Sequence, residues 1–539
     1  MQLPVISTRA AFSAEDFEER TGVPPSPPQN SPTLSTIEIT EPGVEKLLLN
    51  LNPHKAPGPD KIAPRLLKEL AHELAPALTA LFRSSLKTGY VPHDWRTALI
   101  TPIFKKGERY CPENYRPISL TSVICKMFEH ILVSSIMNFA ETNQIICPEQ
   151  HGFRKKRSCE SQLIGLVDEI SHSLERGQDT DLIVMDFSKA FDKVSHSLLL
   201  HKIRHYGITG QVNNWIESFL TGRQQAVVVD GATSGFLDVE SGVPQGSVLG
   251  PCLFLLYIND LPKDLTSTAR LFADDTMCHS TISNPQDETD LQKDLNLLAE
   301  WEDKWCMAFH PNKCQSLTVT RKRIKAEREY HLRDHTLERT QETEYLGVTI
   351  QSNLKWDTQI ARVIAKANKS LGFLRRNLRV RSQALKQLAY FALVRPCLEY
   401  ACSVWDPHTE TAIKQLEAVQ RRAARWVVNR YRQTSSVSDM LSDLQWPSLQ
   451  TRRRQARLAN LFKHVNNLMV IDSSVAPSPQ APNPLRPCTH QSHPFTFENK
   501  GCRTSYRQSS FFPRTIREWN ALPAPAVLSK TLEAFRGRL

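Results

Sequence analysis

No uninterrupted apolar run in the 539 residues approaches the 18 or so needed to cross a bilayer, which argues against a spanning helix and a membrane partner. The first twenty residues, MQLPVISTRAAFSAEDFEER, lack an apolar signal core, which argues against secretion. The 12 cysteines are sparse and never fall as CxxC, so neither a disulfide framework nor a zinc ribbon is expected, and reduced thiols inside a cell fit better. No internal repeat is present. What remains is ordinary globular composition, 40% hydrophobic and 23% charged, at a length for about three or four folding units.

Charge is unevenly placed. Residues 361–460 carry 19 Lys+Arg against 6 Asp+Glu, a local net of +13, while the rest of the chain carries 48 against 50. The whole excess of +11 therefore lies in one window. It reads either as a solvated basic face or as a surface that follows a polyanion. Trp405 and Trp426 lie in this window, Arg421, Arg422 and Arg425 recur at helical spacing, and Arg452–Arg454 follow.

Residues 21–35 are Pro/Ser-rich and read as a linker; a second Pro-rich stretch covers 476–487. Helical patterning over 39–82 is broken by a loop at 54–60. Strands are expected at 95–104, 181–187, 269–273, 316–320 and 345–350, with a hairpin at 225–230 and 236–239. Helices are expected at 117–138, 195–206, 252–258 and 287–306, and throughout the region beyond 360. Short strands mixed with helices over 95–350 point to an α+β fold.

Two apolar strands end in acids, Ile183-Val184-Met185-Asp186 and Leu271-Phe272-Ala273-Asp274-Asp275. A carboxylate leaving a buried strand is costly to desolvate unless it faces a cleft or a cation. If the strands are neighbours, Asp186, Asp274 and Asp275 converge, and clustered carboxylates call for divalent cations such as two Mg²⁺ ions in phosphoryl transfer. The competing reading makes Asp274-Asp275 a polar turn and Asp186 a helix cap. Between the two motifs lies GVPQGSVLGP (242–251), whose glycines allow close backbone approach and whose Gln245 offers an amide among apolar neighbours.

Taken in order, HKAPGPDKI (54–62), WRTALITPIFKKG (95–107), NYRPISLTS (114–122), QHGFRKKRSC (150–159), MDFSKAFDKVSH (185–196), SGVPQGSVLGP (241–251), FADD (272–275), FHPNKC (309–314), YLGVTI (345–350) and SFFPRTIREWNALP (510–523) resemble the reverse transcriptases of LINE-type, Jockey-like non-LTR retrotransposons. The resemblance implies a right-hand polymerase with fingers, a palm built on an antiparallel sheet, and a thumb. Its expected divisions are a disordered linker at 1–38, an N-terminal extension at 39–94, fingers and palm at 95–350, a basic helical thumb at 351–470 and a Pro-rich segment with tail at 471–539. It leaves no room for an upstream endonuclease.

Carried over by position, the resemblance makes Asp186, Asp274 and Asp275 ligands of two Mg²⁺ ions, and Phe191 an aromatic gate against a ribose 2′-OH. Gln245 and Gly246 would meet the incoming nucleotide, Lys105 (or its neighbour Lys106) and Arg116 its triphosphate, and Lys313 would protonate the leaving pyrophosphate. Phe191 also fits a core position, and Lys105 and Lys313 also fit solvated surface charges. His310 stands where the family often has Asn, which puts local geometry around Lys313 in question. Arg421, Arg422 and Arg425 would track the phosphates of the duplex.

The implied activity is RNA-directed DNA synthesis from dNTPs, with an RNA template and a DNA primer as partners, in the nucleus or in a cytoplasmic ribonucleoprotein. An RNA-templated RNA polymerase is disfavoured by Ala273 and Phe191, and a catalytically silent nucleic-acid-binding remnant of a mobile element is the alternative. Cys488, His490, His493 and Cys502 have no standard metal-ligand spacing.

Overall fold

The computed structural model describes residues 32–324, 326–432, 434–472, 493, 495–499 and 501–539. Most of the expected linker, and all of the second Pro-rich stretch together with Cys488 and His490, lie outside the described residues.

In chain order, the elements that position the site begin with β1 (Thr97–Phe104), β2 (Tyr115–Leu120), α1 (Val123–Thr142), β3 (Asp179–Asp186) and α2 (His196–His205). There follow β4 (Arg223–Val229), α3 (Leu249–Tyr257), β5 (Thr268–Phe272), β6 (Asp275–Ile282) and β7 (Gln315–Val319). Beyond them come β8 (Glu342–Tyr345), β9 (Val348–Gln351), α4 (Asp357–Asn377), α5 (Glu410–Val428), α6 (Leu449–Val465) and α7 (Phe511–Asn520). Helix at 49% and strand at 15% make the fold mixed, as the short alternating patterns predict.

Three expectations are corrected. The helix expected over 117–138 is a strand followed by a helix. Pro117 suits an extended chain better than a helix interior, and Ser122 restarts the chain as a helix by accepting a hydrogen bond from the Cys125 N–H at 3.3 Å. The single strand expected at 345–350 is a hairpin, because Leu346 and Gly347 both take positive φ (47° and 74°) and reverse the chain between β8 and β9. The end of the presumed linker is anchored: Leu34 donates to Gly207 O (2.8 Å) and accepts from the Thr209 N–H (3.0 Å).

The chain divides into two compact units. The first takes residues up to Phe153 together with Asp186–Leu265 and Asp294–His310. Its sheet has the order β2-β1-β4, with β1 antiparallel to β2 and parallel to β4. Its core is aromatic: Phe128 on α1 stacks on Phe82 at 5.0 Å and meets Trp215 edge-on at 4.9 Å. By length and composition α1 could cross a membrane, yet Phe128, Leu132 and Ile136 on it are buried within the protein.

The second unit takes Arg154–Met185, Thr266–Lys293 and Pro311–Leu539. Its five-stranded sheet runs from the short strand Glu338–Arg339 through β7, β3 and β6 to β5. Leu182, Met277, Leu317 and Val319 bury its face in a core shared with the C-terminal helices. At the start of β3, Asp179 and Asp181 are both buried. Arg328 reaches them at 3.1 and 3.2 Å, Thr320 donates to Asp179 (2.6 Å), and Tyr330 Oη donates to Asp181 (2.6 Å).

Trp405 and Trp426, which the sequence places in the basic window, are core residues rather than stacking platforms. Arg452, Arg453 and Arg454 are all paired with acids, and Arg453 is buried. Arg452 pairs with Glu399, Arg453 with Asp406 (2.7 Å) and Arg454 with Glu518 (3.2 Å). Arg457 on α6 joins Asp406 to Glu518 on α7 with two contacts of 2.9 Å, so part of the positive charge is internal structure.

Burial pushes the Asp179 carboxyl up, but hydrogen bonds from Thr320, Arg328 and Lys322 outweigh it and hold the group below its ordinary value. A depressed carboxylate stabilises the fold above its unfolded pKa, about 4, and loses that contribution as pH falls through the lower folded value. Asp179→Asn is therefore expected to cost about 3 kcal/mol at neutral pH, with the gap to the parent closing below about pH 4. Denaturant unfolding of both proteins across that range checks this, and a gap that persists at low pH would contradict it.

Candidate active site

In the second unit, β5 and β6 form a hairpin in which Phe272 pairs with Asp275 across a two-residue turn, Ala273-Asp274. Ala273 is buried with φ of 55°, a left-handed conformation that an L-residue adopts at a cost of about 1–2 kcal/mol. Flanking Leu271, Thr276, Met277 and Cys278 are fully buried, so the strands over-determine the turn. Asp274 is half-exposed and Asp275 exposed, so packing aims these two carboxylates toward solvent.

β3, the neighbour of β6 in the sheet, ends on Asp186, which is half-exposed after buried Ile183 and Met185. In the first unit, the Asp186 carbonyl accepts the His310 N–H at 2.7 Å, and Phe187 stacks on Phe309 at 4.2 Å. The departure at His310 is thereby accounted for: the main-chain amide makes this link, and any non-proline side chain allows it. Glu302, itself buried, accepts the Phe309 N–H and holds the same segment from the other side. Lys313 follows in an exposed 3₁₀ turn, Pro311–Lys313, that leads into β7 in the second unit.

The loop 241–248, within the first unit, is laid on the segment after Asp186. Gly242 and Val243 donate to the carbonyls of Val194 and Phe191, each at 2.8 Å. Gly242 has φ of 85°, and a Cβ there would stand 2.7 Å from the Asp192 carbonyl oxygen. Gly246 has φ of 121°, with an equivalent Cβ 2.6 Å from the Ser119 carbonyl oxygen. Both positions therefore need glycine. The Gln245 carbonyl accepts the Ser119 N–H from β2 at 2.7 Å, and its Nε2 donates to Asp192 Oδ1 at 3.0 Å. Phe191 stacks on Phe254 of α3, with ring centroids 4.5 Å apart and planes at 15°. Phe191, Gln245 and Gly246 are thus gathered in one place. Phe191 is half-buried, so packing fixes the ring without hiding it.

Sequence reading missed Glu129. It is fully buried on α1, and its Oε2 accepts the N–H groups of Val248 (2.6 Å) and Leu249 (2.8 Å) at the start of α3. A carboxylate there satisfies orphan amides and complements the helix dipole. The signal was available as a lone acid in the apolar stretch VICKMFEHILV. Asp192 was also missed, although it directly follows Phe191.

Lys105 and Arg116 are exposed at the end of the β1–β2 pair that the loop 105–114 joins, where the Lys105 N–H donates to Asn114 O (2.8 Å) and Arg116 faces Ile103 in register. On α5, Arg421 and Arg422 are exposed and Arg425 is half-buried, opposite a face formed by Leu416, Val419 and Ala423. Arg422 also donates to Asn368 at 3.0 Å. Near the C-terminus His493 is buried, bonded to the Trp519 carbonyl at 3.0 Å. Among the described residues, no three His, Cys, Asp or Glu side chains gather as a metal-holding group.

The second unit thus carries an Asp-Asp hairpin beside a strand that leads to an aspartate, and the first unit a glycine-dependent loop that carries a glutamine. Residues 103–350 match the family model for reverse transcriptase (RNA-dependent DNA polymerase). It is similar to the RNA-directed DNA polymerase from mobile element jockey of Drosophila funebris, 30% identical over 400 residues that cover 72% of this chain and 43% of that protein. The probable RNA-directed DNA polymerase from transposon X-element of Drosophila melanogaster is 28% identical over 436 residues, 78% of this chain and 46% of its own length. The corresponding protein from transposon BS is 26% identical over 440 residues, 77% and 47%. The chain spans about half the length of the curated relatives it matches.

Gly242→Ala is expected to lower stability by about 2 kcal/mol, because the new methyl group meets main chain that cannot swing aside. Thermal unfolding checks this; an unmoved midpoint would mean that the loop is not pinned at Gly242.

Proposed function

We propose that the chain is an RNA-directed DNA polymerase of a non-LTR retrotransposon, adding dNTPs to a DNA 3′-OH along an RNA template. The observation that carries this reading is the pairing of the Asp186 strand and the Asp274-Asp275 hairpin in one sheet, inside the segment that matches reverse transcriptases. In this reading the sheet of β3, β5, β6 and β7 serves as palm, the β1–β2 pair belongs to the fingers, and α4 to α6 form the thumb.

Asp186, Asp274 and Asp275 offer hard oxygen donors, the chemistry that Mg²⁺ prefers. Mg²⁺ is commonly held by one or two carboxylates completed by water and substrate phosphates, so a closed protein cage is not required. When bound, two such ions lower the barrier by neutralising charge on the attacking and leaving oxygens. The protein's own part is positional. The strained turn at Ala273 aims Asp274 and Asp275 outward, while the Asp186 main chain is tied to His310. Lys105 and Arg116 grip the triphosphate, Phe191 blocks a 2′-OH, and Gln245 with Gly246 lines the nucleotide's place. Lys313 gives a proton to the departing pyrophosphate. Arg421, Arg422 and Arg425 follow the backbone of an A-form hybrid, which is recognised largely by shape and phosphates.

Primer extension on an RNA template by purified protein tests the activity. Asp274→Asn is expected to lower the rate at least ~100-fold; equal extension by both proteins, or none by either, would sink the assignment. Phe191→Ala should relax discrimination against ribonucleotides, and unchanged discrimination would remove Phe191 from the gate. Replacing Arg421, Arg422 and Arg425 by Gln should flatten the salt dependence of duplex binding, by about 2.7 in log–log slope if all three meet phosphates. An unaltered slope would leave that face merely solvated.

A further inference from the structure

We propose that Asp192 is a positioning residue that fixes the side chain of Gln245 for the incoming nucleotide. This rests on the reading of Gln245 as a nucleotide contact and goes beyond it by naming what holds the amide in place.

Three tethers join the loop to two consecutive residues. Val243 N–H donates to the Phe191 carbonyl (2.8 Å), Ser241 Oγ donates to the Asp192 carbonyl (2.9 Å), and Gln245 Nε2 donates to Asp192 Oδ1 (3.0 Å). The first two are main-chain anchors that any residues at 191 and 192 would supply. The third depends on the Asp192 side chain. Gln245's own carbonyl is fixed independently by the Ser119 N–H, so the loop's path does not need Asp192. What Asp192 adds is orientation. An ionised carboxylate only accepts, so it admits the NH₂ end of the amide and turns Gln245 Oε1 the other way.

Burial raises the Asp192 carboxyl above its ordinary value, while the Gln245 hydrogen bond and the charge of Lys189 pull it down. A carboxylate kept in a desolvated place beside a site residue, when a neutral side chain would cost less, is spent on holding that residue. Because Asp192 adjoins Phe191, whose ring is stacked on Phe254, one short segment carries the gate and also orients its partner across the loop.

The test is a double-mutant cycle on the full chain, measuring dNTP incorporation on an RNA template for the parent, Asp192→Ala, Gln245→Ala and the double variant. If Asp192 acts through Gln245, each single variant should raise KM for dNTP about tenfold with kcat changed less than about twofold, and the double variant should be no worse than Gln245→Ala. Multiplying effects would overturn the proposal, because Asp192 would then act independently. A silent Gln245→Ala would instead remove the nucleotide-contact reading on which the proposal stands. Asp192→Asn keeps the side-chain volume but can present either end to the amide. It should show an intermediate rise in KM at an unchanged melting temperature, and a parental KM would overturn the proposal even if the alanine variant fails to fold.

Discussion

Two main-chain hydrogen bonds, from Gly242 and Val243 to the carbonyls of Val194 and Phe191, carry the arrangement of the loop 241–248. They are possible because Gly242 has no side chain to hold the strands of chain apart. Once they form, Ser241 and Gln245 fall into reach of Asp192, and Gly246 lies against β2. Glu129 then closes the loop's far end by capping α3, which carries the Phe254 ring that stacks on Phe191. Backbone contact comes first, and the side-chain chemistry is built on it.

The acids named above fall into two groups. Glu129, Asp179, Asp181, Glu302 and Asp406 are buried and met by amides, hydroxyls, a phenol or guanidinium groups, so their charge is consumed in holding segments together. Asp274 and Asp275 stand at the end of buried strands with their side chains toward solvent. The sequence DTDLIVMD shows both kinds in one strand: the first two acids meet Arg328, while the last closes the strand.

Much of this was legible in the residues. Apolar runs ending in acids placed β3 and β5 within a residue or two, and the glycines of GVPQG foretold the close approach. Partnerships across long sequence separations were not legible. Glu129 meets α3 about 120 residues later, and no local pattern encodes that. The basic window misled for the same reason. Counting charges could not reveal that Arg453 and Arg457 are buried against Asp406, or that Glu518, outside the window, neutralises part of it. The hairpin at 345–350 was hidden because Leu346 adopts a left-handed conformation that its side chain does not advertise.

Arg507, near the C-terminus, is buried against Asp168, a separation of 339 residues, and Arg457 reaches across to Glu518. The helix Cys159–Glu175 therefore cannot complete its surroundings until residues more than three hundred positions later have been made. At ordinary elongation rates of about 5–20 residues per second, that leaves the nascent sheet incompletely covered for tens of seconds. The second unit, with its interleaved segments, thus finishes folding only after its last helices leave the ribosome. Its synthesis gives a chaperone bound to the emerging chain a long interval in which to act before that unit closes.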